Sequence, residues 1–212
     1  MKILKSNDKG FDSKLDLLLS LRKNKIRSSP VSVTNIIKDV KKHGDKALLK
    51  YEKRFNRNSI LVPSLKKISK SIKSLDKKVK QAIDLAYNRI YKFHSLQKVK
   101  NILYIDKLKN KIEYKYLPIE SVAIYVPGST ASYPSSVLMN AIPAIVAGVK
   151  RIVMINPSFN GQLNPAVLYA ARKCKIREIY SIGGPSAIAA VTYGTKKIKQ
   201  VHKIVGPGNA YV

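Results

Sequence analysis

Two short glycine-containing segments are the residues of this chain best suited to hold an anionic ligand. Residues 127–130 (PGST) and residues 183–186 (GGPS) each lie between an apolar strand-like stretch and a helix-like stretch. Such a turn leaves the first backbone N–H groups of the helix without partners, and these groups bind phosphates. Each segment alone is more typical of an ordinary turn with a helix cap, and no GxGxxG fingerprint is present. A nucleotide site is therefore indicated only if the two segments lie side by side.

Two polar side chains near these segments could contact a nucleotide. Tyr125 lies two residues before the first segment, where its ring could pack against a base or a ribose. Asn209 closes the segment GPGN (206–209), where its amide could donate to and accept from a ligand close to the backbone. The alternatives are a half-buried aromatic in a sheet for Tyr125 and a tight-turn asparagine for Asn209.

Side chains for acid–base, metal or nucleophilic chemistry are sparse. The carboxylates of residues 118–212 are Glu120 and Glu178, and neither falls in a glycine turn, so we expect no general base there. The three histidines are scattered along the chain without a second ligand at metal-binding spacing. Cys174 has no base nearby in sequence, which favours a small apolar packing role over a nucleophile.

The elements that position these segments are strands and helices in alternation. The pattern predicts strands at 122–126, 152–155, 178–182 and 203–205, and helices near 135–147, 165–173 and 185–193. This alternation predicts parallel βαβ units with helices on both faces of the sheet. Ligands bind at the carboxyl ends of parallel strands. The turns PGST, NPS (156–158), GGPS and GPGN follow the four strands and should therefore line one edge.

The preceding residues differ in composition and pattern. Residues 1–117 carry most of the charge and little glycine. Apolar residues recur at three- and four-residue steps over 33–51 and over 75–96, which predicts amphipathic helices. Residues 102–117 alternate as in a hairpin that turns near Lys109 and Asn110. We predict a mainly helical region of residues 1–117 followed by an α/β domain of residues 118–212.

The net charge of +29 raises the possibility of nucleic-acid binding. Only 8 of the 41 basic residues are arginines, whereas specific phosphate and base recognition favours the guanidinium group. No zinc finger, RNP-type aromatic motif or helix-turn-helix accompanies the charge. A general lysine-rich composition therefore explains the charge better than a specific nucleic-acid site.

The sequence also indicates where such a protein would reside. No apolar run approaches the roughly 20 residues that cross a bilayer, and residues 1–15 lack the apolar stretch of a signal peptide. A single cysteine fits a reducing compartment. We expect a cytoplasmic protein without a membrane partner.

Many short motifs in one order resemble the histidinol dehydrogenase family. They include YVPG (125–128), YPSSVLM (133–139), the glycine pair at 183–184, YGT (193–195) and KIVGPGN (203–209). Similar residues extend into the helical region, with Gly44-Asp45, Tyr51 and Phe55 among them. The resemblance covers about residues 30–212.

The resemblance implies a cytosolic, zinc-dependent and NAD-linked enzyme that oxidises L-histidinol to L-histidine in two hydride transfers. Such enzymes are homodimers with incomplete Rossmann-like domains. In that family NAD is contacted by the tyrosine of YVPG, a glutamine after the glycine pair and the asparagine of GPGN. The matching residues here are Tyr125, Ser186 and Asn209. Ser186 is shorter than glutamine and cannot span the same distance unless a water molecule bridges it. Ser129 stands where the family has glycine, so it must avoid backbone geometry reserved for glycine.

The resemblance also implies that the zinc ligands and the catalytic Glu–His pair lie beyond Val212. We accordingly expect no catalytic and no metal-ligating residue of the family in this chain. The expectation is an N-terminal fragment, with a sheet domain truncated at its carboxyl end, that does not oxidise histidinol alone. The alternatives are a noncatalytic α/β nucleotide-binding module and a basic nucleic-acid-associated protein.

Overall fold

The computed structural model describes residues 4, 7, 9–27, 31–128, 133–158 and 160–208. Within these residues the chain forms eight helices, an antiparallel pair of strands and a four-stranded parallel sheet. The helices are α1 (Phe11–Arg27), α2 (Val31–His43), α3 (Asp45–Asn56), α4 (Leu65–Lys73), α5 (Lys77–Ser95), α6 (Pro134–Ala147), α7 (Pro165–Lys173) and α8 (Gly184–Tyr193). The strands are β1 (Ile102–Ile105), β2 (Lys111–Tyr114), β3 (Ser121–Tyr125), β4 (Arg151–Ile155), β5 (Glu178–Tyr180) and β6 (Lys203–Val205). None of the helices in the described ranges is both long and apolar enough to span a bilayer.

The four-stranded sheet has the order β5-β4-β3-β6, and every neighbouring pair is parallel. All five residues of the central strand β3 are buried. A continuous apolar strand of this kind is typical of a parallel sheet covered on both faces. The predicted βαβ alternation and the α/β fold class are confirmed.

Helices cover both faces of this sheet. Because successive side chains of a strand point to opposite faces, Ala123 and Tyr125 enter one core while Ile124 and Val126 enter the other. The first core is closed by α2, α3 and α8, and the second by α4, α5, α6 and α7. Helices from before residue 118 thus pack on each side of the sheet, and the division into 1–117 and 118–212 stays a prediction.

The predicted hairpin is confirmed as the β1–β2 pair, in which Ile102 faces Tyr114 and Ile105 faces Lys111. Asp106 holds the turn, because its Oδ1 accepts from the N–H groups of Leu108 and Asn110 at 2.8 Å each. Lys109 has a positive φ of 66°, as the tight connection requires.

Strand β5 is shorter than the sequence pattern predicts, since it ends at Tyr180 rather than at residue 182. The N–H of Ser181 donates to Leu61 O at 2.8 Å, outside the sheet, and its carbonyl accepts from Asn58 Nδ2 at 2.7 Å. The segment after α3 therefore provides the hydrogen-bond partners of the backbone at Ser181, just beyond the end of β5.

Candidate functional site

The turns that follow the parallel strands meet at one edge, as predicted. Asn156, just after β4, donates from Nδ2 to Val126 O at 2.9 Å and to Pro127 O at 3.4 Å. This buried amide ties the turn after β4 to the turn after β3. The hydroxyl of Ser181 donates to Ser158, which ties the turn after β5 to the turn after β4.

Three glycines let these turns approach each other closely. A Cβ on Gly128 would lie 2.1 Å from Pro157 O, and one on Gly183 would lie 2.5 Å from Pro157 Cγ. A Cβ on Gly206 would lie 2.2 Å from Tyr125 O, and its φ of 135° also disfavours an L side chain. Gly184 differs, because a Cβ there would meet nothing within 4 Å. The edge is therefore tightly packed, with open space beside the Cα of Gly184.

Tyr125 lies in this edge with its ring buried in the core beneath α2, α3 and α8. Its hydroxyl oxygen accepts from the N–H of Gly184 at 3.2 Å. Burial raises the pKa of Tyr125, the bond from Gly184 lowers it, and the nearby Glu52 raises it, so the phenol is neutral at physiological pH. A contact between this side chain and a cofactor stays a prediction.

Ser186 lies in the first turn of α8 and is buried. Its hydroxyl donates to Gly183 O at 3.0 Å. The hydroxyl proton is thus engaged inside the turn, which leaves the oxygen as an acceptor. The structure places Ser186 and Tyr125 at the same glycine pair, whereas Asn209 and Ser129 lie outside the described residues.

A buried carboxyl group, Glu52, also reaches this glycine pair from α3. Its Oε1 accepts from the N–H of Gly183 and its Oε2 accepts from Nδ2 of Asn56, each at 2.8 Å. The side chain has no exposed surface. Burial raises the pKa of Glu52 to about 7, against the lowering effect of the bonds from Gly183 and Asn56. Both glycine N–H groups therefore have side-chain partners, Glu52 for Gly183 and Tyr125 for Gly184.

Sequence reasoning did not find Glu52, because it lies on α3, 131 residues before the glycine that it contacts. The signal was available in the spacing of α3. Ala47, Leu48 and Tyr51 form the buried stripe of this helix, and position 52 falls four residues after Leu48 on the same stripe. A glutamate on an apolar stripe indicates a buried polar contact.

A cavity of about 560 Å³ lies beside the glycine pair, between α2, α3 and the start of α8. Its lining includes the stacked rings of Tyr51 and Phe55, with centroids 6.0 Å apart, and Arg54 lies 5.4 Å from the Phe55 ring. The remaining lining residues are Val33, Asn35, Ile36, Asn56, Gly183, Gly184 and Pro185. Aromatic faces, amides and one guanidinium group are suited to a nucleoside with a phosphate.

A second cavity, of about 510 Å³, lies at the opposite edge of the sheet, near the amino ends of β4 and β5. Its lining includes Lys150 and Arg151 before and within β4, and Lys175 and Arg177 before β5. Ligands of parallel sheets bind at the carboxyl ends of strands. The first cavity is therefore the better candidate.

The histidines and the cysteine have separate surroundings. His43 contacts Asp39 at 2.7 Å, His94 contacts Gln97 at 2.6 Å, and His202 contacts Ser121 at 2.9 Å. In the described ranges no group of three or more His, Cys, Asp or Glu side chains is placed to hold a metal ion. Burial raises the pKa of the Cys174 thiol to about 12, so it is not a nucleophile at neutral pH.

These features define an α/β protein of the Rossmann-like type, with glycine turns gathered at the carboxyl edge of a parallel sheet. The family model of histidinol dehydrogenase matches residues 20–212. The chain therefore belongs to the histidinol dehydrogenase family.

Individual relatives agree with this assignment. A histidinol dehydrogenase of Pelagibacter ubique (strain HTCC1062) is 76% identical over 212 residues, which are 100% of this chain and 50% of that protein. Histidinol dehydrogenase 1 of Trichormus variabilis is 45% identical over 100% of this chain and 50% of its own length. The crystal structure of histidinol dehydrogenase from Elizabethkingia anophelis matches with a TM-score of 0.81 and 38% identity, over 92% of this chain and 47% of that one. The chain thus spans about half the length of the curated relatives it matches.

Proposed function

We propose that this chain supplies the cofactor-binding edge of an NAD-dependent oxidoreductase that converts L-histidinol to L-histidine. The observation that carries the proposal is the convergence of the glycine turns at Pro157 and Tyr125, at the carboxyl edge of the sheet, in a chain of this family. The open space beside the Cα of Gly184 adjoins a cavity of about 560 Å³, which can admit one nucleoside of a dinucleotide. A phosphate bound there would take the N–H of Gly184, which now donates to the hydroxyl of Tyr125.

The residues of the edge have distinct parts in this proposal. NAD, when bound, accepts the hydride that leaves the substrate. Tyr125 presents its hydroxyl at Gly184, and a cofactor oxygen that takes this N–H would free the hydroxyl for a bond to the same ligand. The Ser186 oxygen keeps acceptor capacity for a bridging water, since its proton is held by Gly183 O. Asn209 completes the proposed set of contacts.

Zinc belongs to the proposed enzyme by the family resemblance. The described residues do not fit a zinc site, because they bring no three His, Cys, Asp or Glu side chains together. We propose that the zinc ligands and the acid–base residues belong to other parts of the enzyme.

The remaining proposals concern the location, the oligomeric state, the partners and the domains of the enzyme. We propose a cytoplasmic homodimer acting on L-histidinol, without a specific nucleic-acid or membrane partner, and with a helical region of residues 1–117 before an α/β domain of residues 118–212. The single, buried cysteine fits a reducing compartment. The family membership supports the substrate.

A titration of the 212-residue chain with NADH, followed by nucleotide fluorescence, tests the cofactor proposal. We expect saturable binding that Tyr125→Phe weakens by about two- to tenfold, the effect of one hydrogen bond. Tyr193→Phe is the matched control, since this tyrosine is 45% exposed at the far end of α8. Absence of binding, or equal affinity in all three proteins, would contradict the proposal.

An assay of histidinol oxidation tests the proposal that the catalytic and zinc residues belong to other parts of the enzyme. We expect the 212-residue chain to form no NADH from NAD and L-histidinol, because the catalytic and zinc residues of the family are proposed to lie elsewhere. Histidinol-dependent NADH formation above the rate without protein would show that this chain contains the catalytic groups.

A further inference from the structure

Glu52 is a buried carboxyl group for which the family resemblance suggests no role. It has no exposed surface, and it takes part in none of the ion pairs found in the described part of the chain. Burying an ionisable group without a counter-ion is unfavourable unless its oxygens receive hydrogen bonds. Here both oxygens receive one, from Gly183 and from Asn56.

We propose that Glu52 is a positioning residue that sets the geometry and the charge of the Gly183–Gly184 turn. The inference rests on the proposed function, in which this turn faces the cofactor phosphates. Because the carboxyl group is fully buried, it does not touch a ligand, and it acts through the backbone of Gly183.

The geometric part follows from the packing around Gly183. On one side Glu52 Oε1 accepts its N–H at 2.8 Å, and on the other Pro157 leaves no room for a Cβ. The next N–H, of Gly184, is directed to the hydroxyl of Tyr125. The start of α8 is therefore fixed at two consecutive residues by side chains from α3 and β3.

The electrostatic part follows from the groups around the carboxyl. Asn56 of α3 donates an N–H to the carboxyl group, and Gly183, before α8, donates its backbone N–H. Tyr125 of β3 is close enough for the charge of Glu52 to raise its pKa, and its phenol is neutral. On α2 the carboxylate of Asp39 accepts from Tyr51 and Lys50 of α3 and contacts His43. No cation therefore offsets a charge on Glu52 among its described partners.

Both charge states of Glu52 are present near neutral pH, since burial raises its pKa to about 7. The start of a helix carries partial positive charge that attracts phosphates, and a carboxylate at the same place offsets it. Protonation removes this negative charge while Oε1 can still accept from Gly183, because the Asn56 amide can turn to accept the carboxyl proton. We therefore expect NADH affinity to fall by about two- to fivefold as pH rises from 6 to 8, the range of a helix-terminus charge effect.

Amide NMR of the ligand-free 212-residue chain tests whether the charge state of Glu52 affects the Gly183–Gly184 turn. We expect the Gly183 amide to shift with a midpoint near pH 7 in the wild type and to be flat in Glu52→Gln. Glu120→Gln is the control, because the Glu120 side chain is 85% exposed and its carboxylate lies 3.6 Å from His202 Nε2. A Gly183 amide that does not titrate, or that titrates equally in Glu52→Gln, would overturn the proposal.

NADH titrations at pH 6 and 8 test the consequence for binding. We expect Glu52→Gln to bind with the low-pH affinity of the wild type at both pH values, whereas a purely structural role would weaken binding at both. Binding that is equally pH-dependent in Glu52→Gln would overturn the electrostatic part. If the Gly183 amide titrates but NADH does not bind at any pH, the positioning role of Glu52 is supported. The same result would refute the proposed function.

Discussion

Replacing Glu52 by glutamine is expected to change how the stability of the chain depends on pH. A carboxyl group whose pKa is raised from 4.5 to about 7 by folding binds its proton more tightly in the folded state. Its contribution to stability is therefore fully present below pH 4.5 and is lost as pH rises through 7. The full difference is about 3 kcal/mol, and most of it falls between pH 5 and 8.

Glutamine preserves the contacts while removing this titration. Its oxygen can accept from Gly183, and its Nε2 can donate to Asn56 once that amide turns. Urea unfolding at pH 5 and at pH 8 measures the effect. The free energy of unfolding of the wild type should fall relative to that of Glu52→Gln by about 2–3 kcal/mol, or roughly 5–10 °C in Tm.

Comparing the two proteins at each pH cancels the other titrating groups, and Glu120→Gln controls for the loss of one negative charge. Parallel stability curves for the wild type and Glu52→Gln from pH 5 to 8 would refute the reasoning. Such a result would mean that the hydrogen bonds from Gly183 and Asn56 offset the effect of burial on the pKa of Glu52.

Three further outcomes are expected. Asn58→Ala should lower the free energy of unfolding by about 2–3 kcal/mol, because the buried side chain loses its bonds to Ser181 O at 2.7 Å and to Ile60 O at 3.0 Å. An equal loss in the exposed Asn88→Ala would contradict this. Cys174 should react with a disulfide reagent far more slowly in the folded chain than in urea, since burial raises its pKa to about 12; equal rates would count against this. DNA binding measured by anisotropy should disappear between about 20 and 150 mM salt, as expected for non-specific contacts, and salt-resistant affinity would revive a nucleic-acid function.

The parallel sheet could be predicted from the sequence because its determinants are local. Apolar runs alternate with helix-like segments, and such runs fold as strands covered on both faces. The meeting of the glycine turns follows from the same topology, since parallel strands end at one edge. Gly128, Gly183 and Gly206 each pack so closely against a neighbouring segment that a Cβ would clash there, which explains why glycine occupies these positions.

The contribution of the N-terminal helices could not be predicted in this way. Glu52 and Gly183 are 131 residues apart, and Asn58 and Ser181 are 123 apart. Such pairs depend on how α3 packs on the sheet, which local periodicity does not specify. The early end of β5 has the same cause, since Leu61 takes the N–H of Ser181 that a longer strand would have kept.

The central claim is that NAD binds at the carboxyl edge of the sheet, and mapping amide shifts on addition of NADH tests it most directly. Glycines at both ends of the sheet serve as reporters. The account predicts saturable shifts at Gly128, Gly183 and Gly184, which lie in the turns after β3 and β5, with Gly148 and Gly194 at the other end unchanged. Shifts centred on Gly148 and the opposite cavity, or no shifts at saturating NADH, would contradict it.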